Sequence, residues 1–162
     1  MPDVSLDYSK YRITKSREDL ESAKYLYNIK AYSAANNRAY YCVFHAVRSV
    51  LALDNFDSKK HSGVISKFRE NYIKTGILPI DISDAIKETF EVRQDSDYGD
   101  MYEATAEETA EQIKNAEYVY NTIKAYLSAR IYNDIVARLR EQHPDWSEQQ
   151  ITEEAKALIG VL

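Results

Sequence analysis

The sequence predicts an all-α protein, and three observations carry that expectation. Apolar residues recur three and four positions apart over most of the chain, and no stretch alternates as a strand would. Only four glycines and three prolines occur, so long runs pass without a breaker. Thr105 with Glu108, and Ser147 with Gln150, each match a capping box at the start of a periodic run. The implied architecture is an antiparallel up-and-down bundle of four to five helices over residues 1–127, with a C-terminal helical extension over 128–162.

The first helix is expected from about Tyr8 to Lys30, with Ile13, Ser16, Leu20, Ala23 and Tyr27 on one stripe. The second, about Ser33 to Leu53, is apolar around most of its circumference. After the break "LDNFDSKKH", a third spans about His61 to Thr75 with Val64, Ile65, Phe68 and Tyr72 inward. Gly76 and then Pro79 stop it in the usual order. A fourth begins near Asp81, carries Ile82, Ala85, Ile86, Phe90 and Val92, and is expected to fray at "RQDSDYGD". A long fifth helix follows Thr105, with Ala106, Ala110, Ile113, Ala116, Tyr120, Ile123, Leu127 and Ile131 on its stripe. Pro144 ends it. Ser147 opens a short last helix with Ile151, Ala155, Leu158 and Ile159 on its apolar side, and Trp146 is placed to anchor the turn before it.

The apolar fraction of 44% and charged fraction of 29% are those of a soluble globular domain. A net charge of −5 argues against a protein that coats nucleic acid non-specifically, while leaving room for a local basic site. One cysteine, Cys42, excludes a disulfide framework, and three scattered histidines do not form a recognisable metal site. No metal or other cofactor is expected. With no signal peptide and no long apolar run, the expectation is a cytoplasmic protein without membrane association. Fourteen tyrosines against four phenylalanines suit half-wet faces and interfaces.

The second helix holds the sharpest feature. Arg38, Tyr41, His45 and Arg48, spaced three, four and three, share one face. Ala35, Ala39, Cys42 and Ala46 share another, and Tyr40, Val43, Val47 and Val50 a third. The polar face costs several kcal/mol if buried unpaired, so it must meet solvent, acidic partners, another subunit or an anionic ligand (the estimate is about 3–5 kcal/mol per stranded charge).

The runs "NRAYYCVFHAVRSVL", "KHSGVISKF", "KTGILP" and "FEVRQDSDYGD" resemble, in order and spacing, the HEPN domain (higher eukaryotes and prokaryotes nucleotide-binding), in its small stand-alone prokaryotic branch. The resemblance covers about Ser9 to Leu127. It implies an up-and-down helical bundle, often a homodimer. Many such proteins are ribonucleases or toxins of toxin–antitoxin systems, frequently paired with a minimal nucleotidyltransferase; others only bind RNA or nucleotide. The ribonuclease members share an arginine followed after four to six residues by a histidine, a spacing that Arg38 and His45 satisfy. Arg93, Asp97 and Tyr98 match an R-x-x-x-D-Y pattern of this branch, with no histidine following Arg93.

The catalytic candidates are therefore Arg38, His45 and Arg93, and the ligand-binding candidates Asn37, Tyr41, Arg48, Asp97 and Tyr98. Metal-free RNA cleavage needs a proton acceptor for the 2′-hydroxyl, a donor for the leaving oxygen and positive charge on the phosphate. His45 has the right chemistry for the first two and the arginines for the third. Arg38 and His45 lie roughly 10 Å apart along the helix axis, so both reach one phosphate only if the arginine bends back, or if Arg93 or a second subunit completes the site. The plainer alternatives are an i, i+4 ion pair between Arg93 and Asp97, polar interface roles for Arg38 and His45, and a non-catalytic helical module for protein assembly. His61 reads as part of a helix start and His143 as a turn residue.

Overall fold

The computed structural model describes residues 4–160, and every regular element among them is helical. The α-helices are α1 (Val4–Asn28), α2 (Tyr32–Leu53), α3 (His61–Phe68), α4 (Ile80–Tyr98), α5 (Ala106–Gln142) and α6 (Glu148–Ile159). The chain forms two compact units, Met1–Ile123 and Lys124–Leu162. No helix among the described residues is long and apolar enough to cross a membrane.

In the first unit α2 is the central helix, and its three faces have different fates. Tyr40, Val43, Val47 and Val50 are buried in the core, as are Ala35, Ala39, Cys42 and Ala46. The small side chains allow close approach. The Ser16 hydroxyl of α1 donates to the Cys42 carbonyl at 2.6 Å, and the Cys42 thiol points to the Ala116 carbonyl of α5 at 3.8 Å. Burial pushes the Cys42 thiol up to about 12, so it is a small apolar residue and not a nucleophile. The predicted stripe of α1 is inward at Ile13, Ser16, Leu20 and Ala23.

The third predicted helix divides. The α-helix ends at Phe68, and Arg69–Ile73 form a π-helical turn closed by the Lys74 N–H on the Arg69 carbonyl at 2.9 Å. Phe68 stacks on Tyr72, with centroids 5.5 Å apart, which secures the wider turn. Gly76, at φ 73, then reverses the chain in the left-handed conformation that glycine adopts without a Cβ clash. Pro79 caps α4.

Three expectations need correction. The fourth helix does not fray at "RQDSDYGD" but continues to Tyr98. Two bonds from α2 hold its last turn: Asn36 Nδ2 to Ser96 Oγ at 3.0 Å and Asn37 Nδ2 to Asp97 Oδ2 at 2.7 Å. Gly99 follows, where a Cβ would lie only 2.6 Å from the Asp95 carbonyl oxygen. At the start of α5 the buried stripe is Thr109, Gln112, Ala116 and Val119, whereas Ala110 is exposed and Ala106 and Ile113 only half-buried. Gln112 takes an inward position because α4 offers it a partner, its amide donating to Glu88 at 3.2 Å, whereas the buried Thr109 hydroxyl has no hydrogen-bond partner. The third correction concerns α6, where Leu158 faces outward at 51% exposure.

The capping boxes differ. At α5 the Glu108 N–H reaches the Thr105 hydroxyl at 3.2 Å, but buried Glu108 Oε1 has no partner, so half the box is present. At α6 both bonds form, Gln150 N–H to Ser147 Oγ at 3.2 Å and Ser147 N–H to Gln150 Oε1 at 2.8 Å. The second unit has its own small core of Leu139, Ile151 and Ala155. Tyr132, Ile135, Val136 and Trp146 pack against it, with Trp146 stacked on His143 at 3.9 Å.

Candidate functional site

The polar face of α2 finds carboxylates within the chain. Arg38 Nη1 bonds Asp19 Oδ1 of α1 at 3.0 Å, and His45 Nε2 lies 3.7 Å from Asp19 Oδ2. The two residues separated by two turns of α2 thus converge on opposite oxygens of one carboxylate. The His45 contact is not an ion pair. Burial, followed by the charges of Arg12, Arg48, Arg38 and Lys15, lowers the imidazole to about 4 and keeps it neutral at pH 7. Its Nδ1 is buried and without a hydrogen-bond partner. Burial also raises the Asp19 carboxyl above its ordinary range, outweighing the charge and hydrogen bond of Arg38.

Arg93 is the centre of a second group. Its guanidinium carbon lies 5.4 Å from the Tyr40 ring centroid, 5.5 Å from Tyr41 and 5.4 Å from Tyr98. Arg93 Nε is 2.8 Å from Asp97 Oδ2, close enough for an ion pair, although the N–H is misaligned for a directed hydrogen bond. Nη2 reaches the Tyr41 hydroxyl at 3.3 Å. The side chain is only 12% exposed, so the i, i+4 pair is a packed feature and not a solvated surface bridge.

Asn37 joins the two groups. Its Oδ1 accepts from Arg38 Nη2 at 2.7 Å and from Nε at 3.1 Å, while its Nδ2 donates to Asp97. Arg38 also lies over the Tyr41 ring at 4.9 Å. Of the predicted residues, Asn37, Arg38, Tyr41, His45, Arg93, Asp97 and Tyr98 therefore belong to one connected network. Arg48 does not. It pairs with Asp57, with Nη2 to Oδ1 at 2.5 Å, and sits over Phe44 at 5.6 Å.

Of the predicted residues, Tyr41 and Arg93 line a cleft of about 690 Å³ between the α3 segment and α4. Arg69 and Lys74 from the π turn, Lys87 from α4 and Arg93 give it four cationic side chains, and among the described residues no carboxylate lines it. His61, Ser62 and Ser66 add polar groups at one wall, and Ile65, Ile86 and Phe90 an apolar floor. Sequence reading missed this cleft because its cations are scattered over 25 positions; the available signal was that Arg69 and Lys74 flank an inward-facing Tyr72.

His61 is fixed more firmly than a helix-start residue requires. It stacks on Phe44 at 4.2 Å, and its Nδ1 shares a hydrogen bond of 2.8 Å with the Tyr40 hydroxyl. Burial first, and then Arg93 and Arg48, lower its pKa below the ordinary histidine value. Burial raises the Tyr40 phenol, which stays protonated. Asp19 was likewise unmarked in sequence, although it lies three residues after Ser16 and four before Ala23, on the inward stripe of α1. Among the described residues, no three His, Cys, Asp or Glu side chains are grouped as a metal ion would need.

Comparison with known proteins places this arrangement. The chain is 33% identical over 118 residues, 73% of its length and 80% of the relative's, to the Methanocaldococcus jannaschii protein named "Putative toxin MJ0142". It is 32% identical over 110 residues, 68% of its length and 83% of the relative's, to a UPF0332 protein of Thermotoga maritima. The crystal structure of ST0689, an archaeal HEPN homologue, superposes with a TM-score of 0.59 at 22% identity, covering 73% of this chain and 96% of that one, a likeness of fold. The HEPN domain description matches residues 9–126. With the all-helical fold and these relatives, the chain belongs to the HEPN domain family.

Proposed function

We propose that this protein binds RNA or nucleotide phosphate in the cleft between the α3 segment and α4, and that it acts as a toxin-like cytoplasmic effector. One observation carries the reading. A chain with net charge −5 gathers Arg69, Lys74, Lys87 and Arg93 around a single cleft that no carboxylate of the described residues lines. Local positive potential in an acidic protein supports an anionic ligand over general adhesion to nucleic acid. Arg93, held by three aromatic rings, presents a fixed fork suited to a phosphate. The toxin role is taken from the relatives' name.

If the bound RNA is cut, the chemistry is metal-independent attack of a 2′-hydroxyl on the adjacent phosphate. This gives a cyclic phosphate and a free 5′-hydroxyl. In this scheme His61, neutral and at the wall, accepts the 2′-hydroxyl proton, solvent water protonates the departing 5′-oxygen, and the cleft cations carry the developing charge. Arg38 and His45 position Asn37 and Tyr41 through the Asp19 network rather than touching the phosphate. A homodimer and a nucleotidyltransferase-type partner belong to the same reading. The charge of the α2 face is met by Asp19 and Asp57, so the dimer rests instead on exposed Tyr11 and Tyr25, which share one side of α1, and on exposed Ile29 just beyond its end.

The test is incubation of purified protein with total RNA, with and without EDTA, beside Arg93→Ala and His61→Ala. The expected result is EDTA-insensitive cleavage lost in both variants. Binding without cleavage would retire the nuclease step, and absence of RNA and nucleotide binding would retire the whole reading in favour of an assembly module.

A further inference from the structure

A second pocket, of about 400 Å³, lies against α1 and α2 and is lined by Tyr8, Arg12, Arg48, Phe56 and Asp57. We infer that this pocket is a separate binding site for a nucleoside monophosphate, with the phosphate on the Arg12–Arg48 pair and the base against Tyr8 and Phe56. The inference does not depend on the cleft reading.

Charge is the first argument. Arg12 and Arg48 are each only 17% exposed, and among the described residues one carboxylate lines the pocket, Asp57, which must serve both. It serves them unequally. Asp57 Oδ1 takes Arg48 at 2.5 Å and the Ser58 N–H at 2.9 Å, while its Oδ2 remains 3.8 Å from Arg12, beyond a hydrogen bond. Arg48 Nε is buried with no hydrogen-bond partner. With Asp57 held by Arg48 and beyond hydrogen-bond distance of Arg12, the pocket keeps more positive than negative charge, which invites a second anion. Burial and the neighbouring Arg48 hold Arg12 below its ordinary value, and the same two arginines help to keep His45 neutral.

The chemistry of the pocket selects the ligand. Asp57 is 64% exposed on the segment between α2 and α3, so it can give way to a stronger anion. A phosphate monoester carries about −1.5 to −2 at pH 7, which matches two guanidiniums once Asp57 is displaced; a phosphodiester, with a single charge, matches less well. Tyr8, 56% exposed, and Phe56 provide ring faces beside that charge, and Ser5 and Asn55 add hydrogen-bonding groups. Rings next to an arginine pair suit a planar base attached to a phosphate.

The test titrates the full-length chain with AMP, GMP, CMP and UMP, with adenosine and inorganic phosphate as controls. At least one mononucleotide should bind, and better than either control. Arg12→Gln should weaken it about tenfold or more, Tyr8→Ala should weaken it, and Asp57→Asn should tighten it. Each titration is repeated in the Arg93→Ala background, where nucleotide binding at the cleft is lost and binding at this pocket should persist. His45 is faced by Arg12, Arg48, Arg38, Lys15 and Asp19, so filling the pocket should move its NMR titration upward from about 4 even if a variant fails to fold. No mononucleotide binding, equal binding of inorganic phosphate, indifference of the remaining binding to Arg12→Gln, or loss of all binding with Arg93→Ala would each overturn the assignment.

Discussion

Arg93 of α4 reaches across to Tyr41 of α2, its Nη2 3.3 Å from the phenol oxygen and its guanidinium carbon 5.5 Å from the ring centroid. The contact makes the cation both a part of the core's edge and a wall of the cleft. Arg93→Ala should therefore cost about 1–2 kcal/mol, more than a solvated i, i+4 pair, while leaving a folded protein. Urea unfolding measures that cost. RNA titrations at several salt concentrations should show weaker binding and a slope smaller by about one. A stability loss below about 0.5 kcal/mol would mean that the aromatic cage contributes nothing.

Lys74 tests the cleft without the packing. It is exposed and borders the cleft from the end of the π turn. Lys74→Ala should leave thermal stability unchanged and weaken RNA binding alike for all sequences, again with a slope lower by about one. An unaltered slope would exclude Lys74 from phosphate contact.

His45 supplies a pH prediction whose sign is fixed. Its folded value of about 4 lies below the unfolded value of about 6.5. As pH falls through 6.5, the unfolded chain takes a proton that the native chain refuses, so stability is lost between about pH 6.5 and 4 and then levels off. The full shift corresponds to about 3 kcal/mol, reduced by solvent screening of the exposed fifth of the side chain. His61 acts in the same direction and Asp19 in the opposite one, so the measurement is the difference between the wild type and His45→Gln. The variant's unfolding free energy should fall less across that window; parallel curves would refute the assignment.

Asn36 is 1% exposed and donates to Ser96, tying α2 to the last turn of α4. Ser96→Ala leaves that buried amide without its acceptor and should cost about 1–3 kcal/mol. Amide exchange should quicken around Asp97 and Tyr98. Unchanged protection there would show that the turn is held by other means.

The elements were legible because periodicity and stop signals are local. Gly76, Pro79 and Ser147 act on the residues beside them, and each stands where a helix ends or begins. The fourth helix's end was not legible, because the bonds that hold it come from Asn36 and Asn37, about 60 residues earlier. The buried Gln112 escaped for a related reason: polarity predicts exposure unless a distant Glu88 answers it. In the site, the R-x-x-x-D-Y spacing and the α2 face led to residues that do meet. Their counterions, Asp19 and Asp57, and the cleft cations of the π turn depend on packing that no single stretch records.

The π turn between Arg69 and Ile73 makes the cationic wall a matter of chain length. It holds one residue more than an α-helical path would, and that residue is what sets Lys74 relative to Arg69. Wound as an α-helix with all its residues kept, the segment would carry Lys74 about 100° further round and about 1.5 Å further along. Lys74 would then swing off the cleft although no charge had been removed, whereas deleting Asn71 would take out the extra residue and leave the Lys74 N–H on the Arg69 carbonyl. Point substitutions here grade the cleft's affinity, whereas the winding of one turn sets its register.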